Sequence, residues 1–184
     1  MASSKEKPPS SGEVRSLKTL FEQYSPSVFS YLLRLSGDRA LAQDLTSETF
    51  YKAILAIDGF RGDASVKTWL LRIARNLYLR RSQRERRSTS LETMQEGGVN
   101  FIASQPDPED EVIRIERDEA IQEALLSLSE DDRTILLLSS QEHMPYREIA
   151  KVLEISIPAV KVRIHRARKR FAIALNEITN LQKE

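Results

Sequence analysis

Apolar positions recur at helical intervals from Leu17 onward, through Leu20, Phe21 and Tyr24, and a second run follows Pro26 at Val28, Tyr31, Leu32 and Leu35. The spacing predicts helix on both sides of that proline. "SGDRA" reads as a helix end at Gly37 and a restart capped by Asp38. The next helix runs through Leu41, Leu45, Phe50 and Ile54 to Ile57, and "DGFRGDAS" follows as a loop with two glycines. From Val66 the pattern resumes in "KTWLLRIARNLYLRRSQRERR", which puts Trp69, Leu70, Ile73 and Leu77 on the buried stripe and arginines on the opposite face.

Between about Ser88 and Asp110 the periodicity stops. "EGGVNFIASQPDPED" combines glycines, prolines and acids with little apolar order, the composition of a flexible linker. Helical spacing returns at Val112, with Ile113, Ile121, Ala124, Leu125 and Leu128 on one face. Ser129 is then an N-cap, Asp132 stands where a capping-box acid would, and "RTILLLSS" is a buried helix body. No segment alternates like a strand for more than a few residues. The expected fold is all-α: a disordered tail over 1–13, a first small helical domain over 14–87, a flexible linker over 88–111, and a four-helix domain over 112–184.

Composition narrows the chemistry. The chain of 184 residues is 40% hydrophobic and 30% charged, which suits globular rather than disordered behaviour. With no cysteine, disulfides, thiolate metal sites and cysteine nucleophiles are excluded. No apolar run approaches the ~20 residues of a membrane span, and "MASSKEKPPSSGE" lacks the apolar core of a secretory signal, so a cytoplasmic location without membrane insertion is expected. The two histidines, His143 and His165, have no partners at metal-ligand spacing, and no metal, cofactor or catalytic residue is expected.

The net charge of +1 conceals segregation. Residues 67–87 hold eight basic residues against one acid, Glu85, and 161–170 hold six against none. Residues 107–132 answer with eleven acids against Arg114 and Arg117. Local fields decide what a surface attracts, and two basic segments point to a polyanion touched in two places.

The second basic segment lies in a specific setting. In "YREIAKVL", Ile149, Ala150 and Leu153 share a face; a break at "EIS" follows, and Pro158 suits the first turn of a new helix. There Val160, Ile164, Ala167, Phe171, Ala174 and Ile178 form the inward stripe, leaving Lys161, Arg163, His165, Arg166, Arg168 and Lys169 outside or at its edges. Helix, tight turn and helix is the pattern whose second member enters the DNA major groove. The alternative is a helical hairpin with a merely basic surface.

"LSEDDRTILLLSSQEHMPYREIAKVLEISIPAVKVRIHRARKRF" resembles the promoter-binding domain of the extracytoplasmic-function sigma factors of bacterial RNA polymerase, members of the sigma-70 family. "AQDLTSETFYKAILAIDGFRGDASVKTWLLRIARNLYLRR" resembles the other conserved domain of that family, in the family's order. The resemblance implies a factor that joins core polymerase, selects promoters by their −35 and −10 elements and helps melt the DNA. Upstream DNA would be read around Ser156, Ala159, Lys161, Arg163, His165, Arg166, Arg168 and Lys169. The downstream element would meet Phe60, Arg61, Lys67, Trp69, Arg72, Arg75, Asn76, Arg80 and Arg81, with Asn76 at a base edge and the cations on phosphates. Trp69 stays open between a core anchor and a strand-separating surface. Core polymerase would meet Asp44, Leu45, Glu48 and Phe50, of which Phe50 fits core packing better than direct contact. The family also implies an anti-sigma partner, and a monomer when free.

Three departures stand out. Glu154 occupies the turn where the family usually has glycine; Ser156 and Pro158 to Ala159 differ from its usual "P-V-G-T"; Ser47 and Arg80 replace a common glutamine and aspartate. A linker of about two dozen residues spans up to ~80 Å, enough for both basic helices to reach sites ~35 to 70 Å apart on one duplex. The competing reading is a free-standing helix-turn-helix regulator that never joins polymerase.

Overall fold

The computed structural model describes residues 11–60, 62–89 and 108–181, and every regular element among them is helical. In the first half, α1 (Ser11–Ser36), α2 (Arg39–Ala56) and α3 (Val66–Thr89) pack together, with a single 3-10 turn at Ile57–Gly59 closing α2. In the second half, α4 (Pro108–Ser127), α5 (Glu130–Leu136), α6 (Tyr146–Leu153) and α7 (Ile157–Leu181) form the expected four-helix unit. Most of the anticipated tail and linker lies outside the described residues, but α1 already begins at Ser11 and α4 at Pro108.

Pro26 lies inside α1 rather than between two helices. A proline within a helix costs about 3 kcal/mol through its missing N–H and its clash with the preceding turn. Here it is exposed, and beyond it Val28, Tyr31, Leu32 and Leu35 are all buried. Each such side chain contributes about 1.5–3 kcal/mol, so packing holds the helix through the break. Asp38 caps α2 as expected, its Oδ1 accepting from the Leu41 amide at 3.0 Å. Leu45 and Phe50 enter the core, whereas Ile54 is 42% exposed. The face turns instead through Thr46, Thr49 and Ala53; both threonines satisfy their buried hydroxyls on carbonyls one turn back, at 2.7 Å.

Ser129 caps α5 by accepting from the Asp132 amide at 3.2 Å. The Asp132 carboxylate does not complete a capping box; Arg170 of α7 takes it at 2.5 Å, a charged partner in place of a backbone N–H. Directly after α5 the chain widens into one π turn, Leu137–Gln141, closed by the Glu142 amide on the Leu137 carbonyl at 3.1 Å.

The two halves share one core. Tyr31 and Leu35 of α1, Leu70 of α3 and Ile135 and Leu138 of the α5 region are all at or below 1% exposed in a single cluster. Gly37 sits in this seam at φ +74, and an added Cβ would lie 2.8 Å from Leu126 Cδ1. Gln122 donates to the Arg34 carbonyl at 3.2 Å. On the other side of the seam, Glu148 of α6 accepts from the Ser65 amide at 3.4 Å and from Lys151 at 3.1 Å, while Lys151 also donates to the Asp63 carbonyl. Partial burial pushes the Glu148 carboxyl up, but hydrogen bonds from Thr68, Lys151 and the Ser65 amide outweigh it and hold the group below its ordinary value.

Two outcomes follow from this seam. Gly37→Ala should lower stability by about 1–3 kcal/mol, the cost of forcing a side chain into left-handed backbone, read from the urea midpoint of the full chain; an unchanged midpoint would mean the seam yields. Because the Glu148 carboxyl is depressed in the fold, its contribution is complete above the unfolded-state value of ~4.3 and is lost as pH falls through the lower folded value. Protection of the Ser65 amide against hydrogen exchange should therefore hold at neutral pH and decline in acid below that value, and protection flat across the range would remove Glu148 from the contact.

Candidate nucleic-acid interface

The turn between α6 and α7 decides how α7 is presented. Glu154 adopts left-handed backbone, φ 56 and ψ 41, and its amide closes on the Ala150 carbonyl. The Ile155 amide reaches the same carbonyl at 3.1 Å. Such a conformation costs a residue with a Cβ roughly 1–2 kcal/mol, so the departure from glycine is absorbed as strain rather than avoided. The Glu154 carboxylate finds a partner outside its own half, Arg72 of α3.

Ser156 starts α7, its hydroxyl facing the Ala159 amide at 3.4 Å, and Pro158 occupies the first turn without requiring a donor. Along α7, Val160, Ile164 and Ala167 are buried, and Phe171, Ala174 and Ile178 continue the stripe half-buried. That anchoring sends Lys161, Arg163, His165, Arg166, Arg168 and Lys169 to the solvent face together with Ser156, while Ala159 is half-buried at its edge. Among the described residues none of these side chains is ion-paired; Arg170, next in line, is committed to Asp132. The result is a helix face about 1.5 Å per residue in rise with an unneutralised positive surface.

The basic face of α3 is in a different state. Lys67 meets Glu142 Oε2 at 2.6 Å, Arg72 pairs with Glu154, Arg75 meets Asp131 at 3.2 Å, and Arg86 meets Glu130 at 2.6 Å. All four acids belong to the second half. Arg81 pairs within its own helix with Glu85 at 2.6 Å, and that contact raises its pKa further. Arg80 and Asn76 are exposed, and Arg61 lies outside the described residues. Trp69 is half-buried and packs its ring on Phe60, centroids 4.9 Å apart, so it joins the core edge to the loop before α3. Trp69 is thus a partial core anchor with one side of its ring left accessible. Because α3 is engaged in this way, the two basic helices are not both open to a duplex in this arrangement, whatever the reach of the linker.

The third surface is the outer face of α2. Asp44 and Glu48 are exposed, Glu48 with Lys52 at 3.8 Å, but Leu45 and Phe50 are 3% and 4% exposed and face the core. Their place on this surface is taken by Tyr51 and Leu55, 61% and 58% exposed. Residues 44, 48, 51 and 55 fall at helical spacing on one stripe, a signal present in the sequence but passed over by following only Leu41, Leu45, Phe50, Ile54 and Ile57 along this helix. Phe21 of α1 stacks edge-on against Phe50 at 4.8 Å and extends the apolar patch. Among the described residues no cluster of histidines and acids is fit to hold a metal ion, and no helix is long and apolar enough to cross a membrane.

Comparison with known proteins places both halves in known families. The family described as Sigma-70 region 2 matches residues 20–88, and that described as Sigma-70, region 4 matches residues 118–171. RNA polymerase sigma factor YlaC of Bacillus subtilis is 30% identical over 153 residues, covering 83% of this chain and 88% of that protein. The RNA polymerase sigma-H factor of Pseudomonas aeruginosa is 31% identical over 173 residues, covering 91% and 90%. Among solved structures, the sigma factor RpoE in complex with the anti-sigma factor NepR from Bartonella quintana superposes with a TM-score of 0.73 at 25% identity, over 88% of this chain and 98% of that one. CnrH in complex with the cytosolic domain of CnrY gives 0.65 at 25% identity, over 91% and 92%. With both regions matched in order along most of its length, the chain belongs to the sigma-70 family, in its extracytoplasmic-function group, and acts as a sigma factor that binds RNA polymerase and directs promoter-specific initiation.

Proposed function

We propose that the three surfaces divide the work of initiation among themselves. The unneutralised face of α7 lies in the upstream (−35) duplex, with the residues from Ser156 and Ala159 through Lys161, Arg163, His165, Arg166, Arg168 and Lys169 on bases and phosphates. The loop at Phe60 and the face of α3 take the downstream (−10) element. There Trp69 and Asn76 meet an unstacked base, and Lys67, Arg72, Arg75, Arg80 and Arg81 grip the backbone. The α2 stripe of Asp44, Glu48, Tyr51 and Leu55 docks on core polymerase, supported from beneath by Leu45 and Phe50. A free monomer working in the cytoplasm, without a cofactor, fits these roles. An anti-sigma protein is the further partner, by analogy with the complexes of RpoE and CnrH.

The observation that carries the reading is the contrast within α7: its inner stripe is buried while six ionisable residues outside it have no ion-pair partner among the described residues. A free-standing regulator would share that helix but has no use for a region 2 fold.

Run-off transcription with purified bacterial core polymerase on a promoter library tests the division. Selective initiation dependent on this chain is expected, and the selected sequences should share two separated boxes. Initiation without a common upstream box would remove α7 from the reading. At the upstream box, Lys161→Ala and Arg168→Ala should each weaken holoenzyme binding and flatten the dependence of log affinity on log salt by about 1. Filter binding across a salt series measures both, and unchanged slopes would place these side chains away from phosphate.

A further inference from the structure

The outward face of α7 is not uniformly charged. Val162 stands 48% exposed on it, and Pro158, one turn earlier, is exposed as well. A helix turns by about 100° per residue, so the buried Val160, Ile164 and Ala167 fix its inner side. The line directly opposite runs through Pro158 and Val162, then on to His165 and Lys169. Lys161 and Arg163 lie about 100° to either side of Val162, and Arg168 and Arg166 continue the two flanks. In its N-terminal turns the basic face therefore has charged borders and an apolar midline.

A lone exposed valine is ordinary, but this one has a defined place in a groove. A helix about 10–12 Å across fills a major groove about 12 Å wide. Side chains well off its midline then meet the phosphate walls, while midline residues of the N-terminal turns meet base edges. Val162 can neither donate nor accept a hydrogen bond there. Thymine alone offers an apolar group on the groove floor, its C5-methyl; cytosine and adenine present amino donors, and guanine two acceptors. A valine covering those polar edges would strip their water without replacing the hydrogen bonds. We propose that Val162 is a specificity-determining residue that reads a thymine of the upstream element through its C5-methyl group, with Lys161 and Arg163 on the phosphates to either side. The assignment rests on the reading of α7 as the upstream DNA helix. It adds to that reading a base and the atom by which it is chosen, and the choice works by excluding polar edges as much as by attracting the methyl.

The test uses holoenzyme assembled from this chain and purified bacterial core polymerase, on the upstream box recovered from the promoter library. Deoxyuridine, which is thymidine without the methyl group, replaces each thymine of that box in turn on either strand, and filter binding gives the affinity. One replacement should weaken binding by about fourfold, the worth of one buried methyl group, while the others leave it unchanged. Val162→Ala removes the contact at an exposed position where alanine favours the helix, and it should bind the thymine and uracil duplexes equally. Val162→Thr keeps a methyl group and should keep the discrimination. A box whose thymines all tolerate uracil, or one with no thymine on either strand, overturns the proposal while leaving α7 on the DNA. Discrimination that survives in Val162→Ala overturns it as well, by giving the methyl to another side chain. A selection that yields no common upstream box is a different failure: it removes α7 from the DNA, and the role of Val162 with it.

Discussion

One guanidinium organises the molecule. Arg133, the fourth residue of α5, is 7% exposed and donates to the carbonyls of Leu125 at 2.9 Å, Leu126 at 2.7 Å and Leu128 at 3.1 Å, at and just beyond the C-terminal end of α4. It donates to Leu35 of α1 as well, at 2.5 Å. Two helix C-termini, each carrying partial negative charge, thus converge on one cation. Burial lowers its pKa, with Tyr78 and Glu130 acting against that loss, but an arginine starts so high that it stays charged. Without it, the carbonyls of Leu35, Leu126 and Leu128 would lose this donor and two like dipole ends would face each other across the seam. The close approach at Gly37 and the shared core of the halves both depend on this neutralisation.

Much of the fold can be read from residues whose neighbours in sequence are also their reasons. Asp38 and Ser129 cap helices three residues ahead, a local matter. The α7 stripe follows from intervals of three and four. Pro26 failed as a boundary because the penalty it carries is local while the burial that overrules it at Tyr31 and Leu32 is tertiary. Ile54 shows the converse: an apolar side chain at the right interval reaches the core only if something packs against it, and Ile54 stays 42% exposed.

The candidate site divides along the same line. That α7 would show its cations to solvent was legible, because one stripe fixes the opposite face. The state of α3 was not. Eleven acids in the middle of the chain signalled compensation, but which carboxylate would reach which arginine depends on contacts between residues 44 to 82 positions apart, set by the packing of the halves. Glu154 shows both levels at once. Its departure from glycine was visible as a conflict in the turn, while the ion pair with Arg72 that accompanies the strained backbone became visible only in three dimensions.

The π turn at Leu137–Gln141 gives the architecture a phase. A helix accumulates about 100° of rotation per residue, so one residue more or fewer in that turn re-aims everything that follows it. Glu142 is the next residue, and its insertion beside Lys67 and Ser27 depends on that setting. Insertions and deletions are usually tolerated in connecting segments, yet here a change of length by one would rotate the carboxylate away from the first half without altering a single side chain. In this stretch the aim of the carboxylate is set by count rather than by composition.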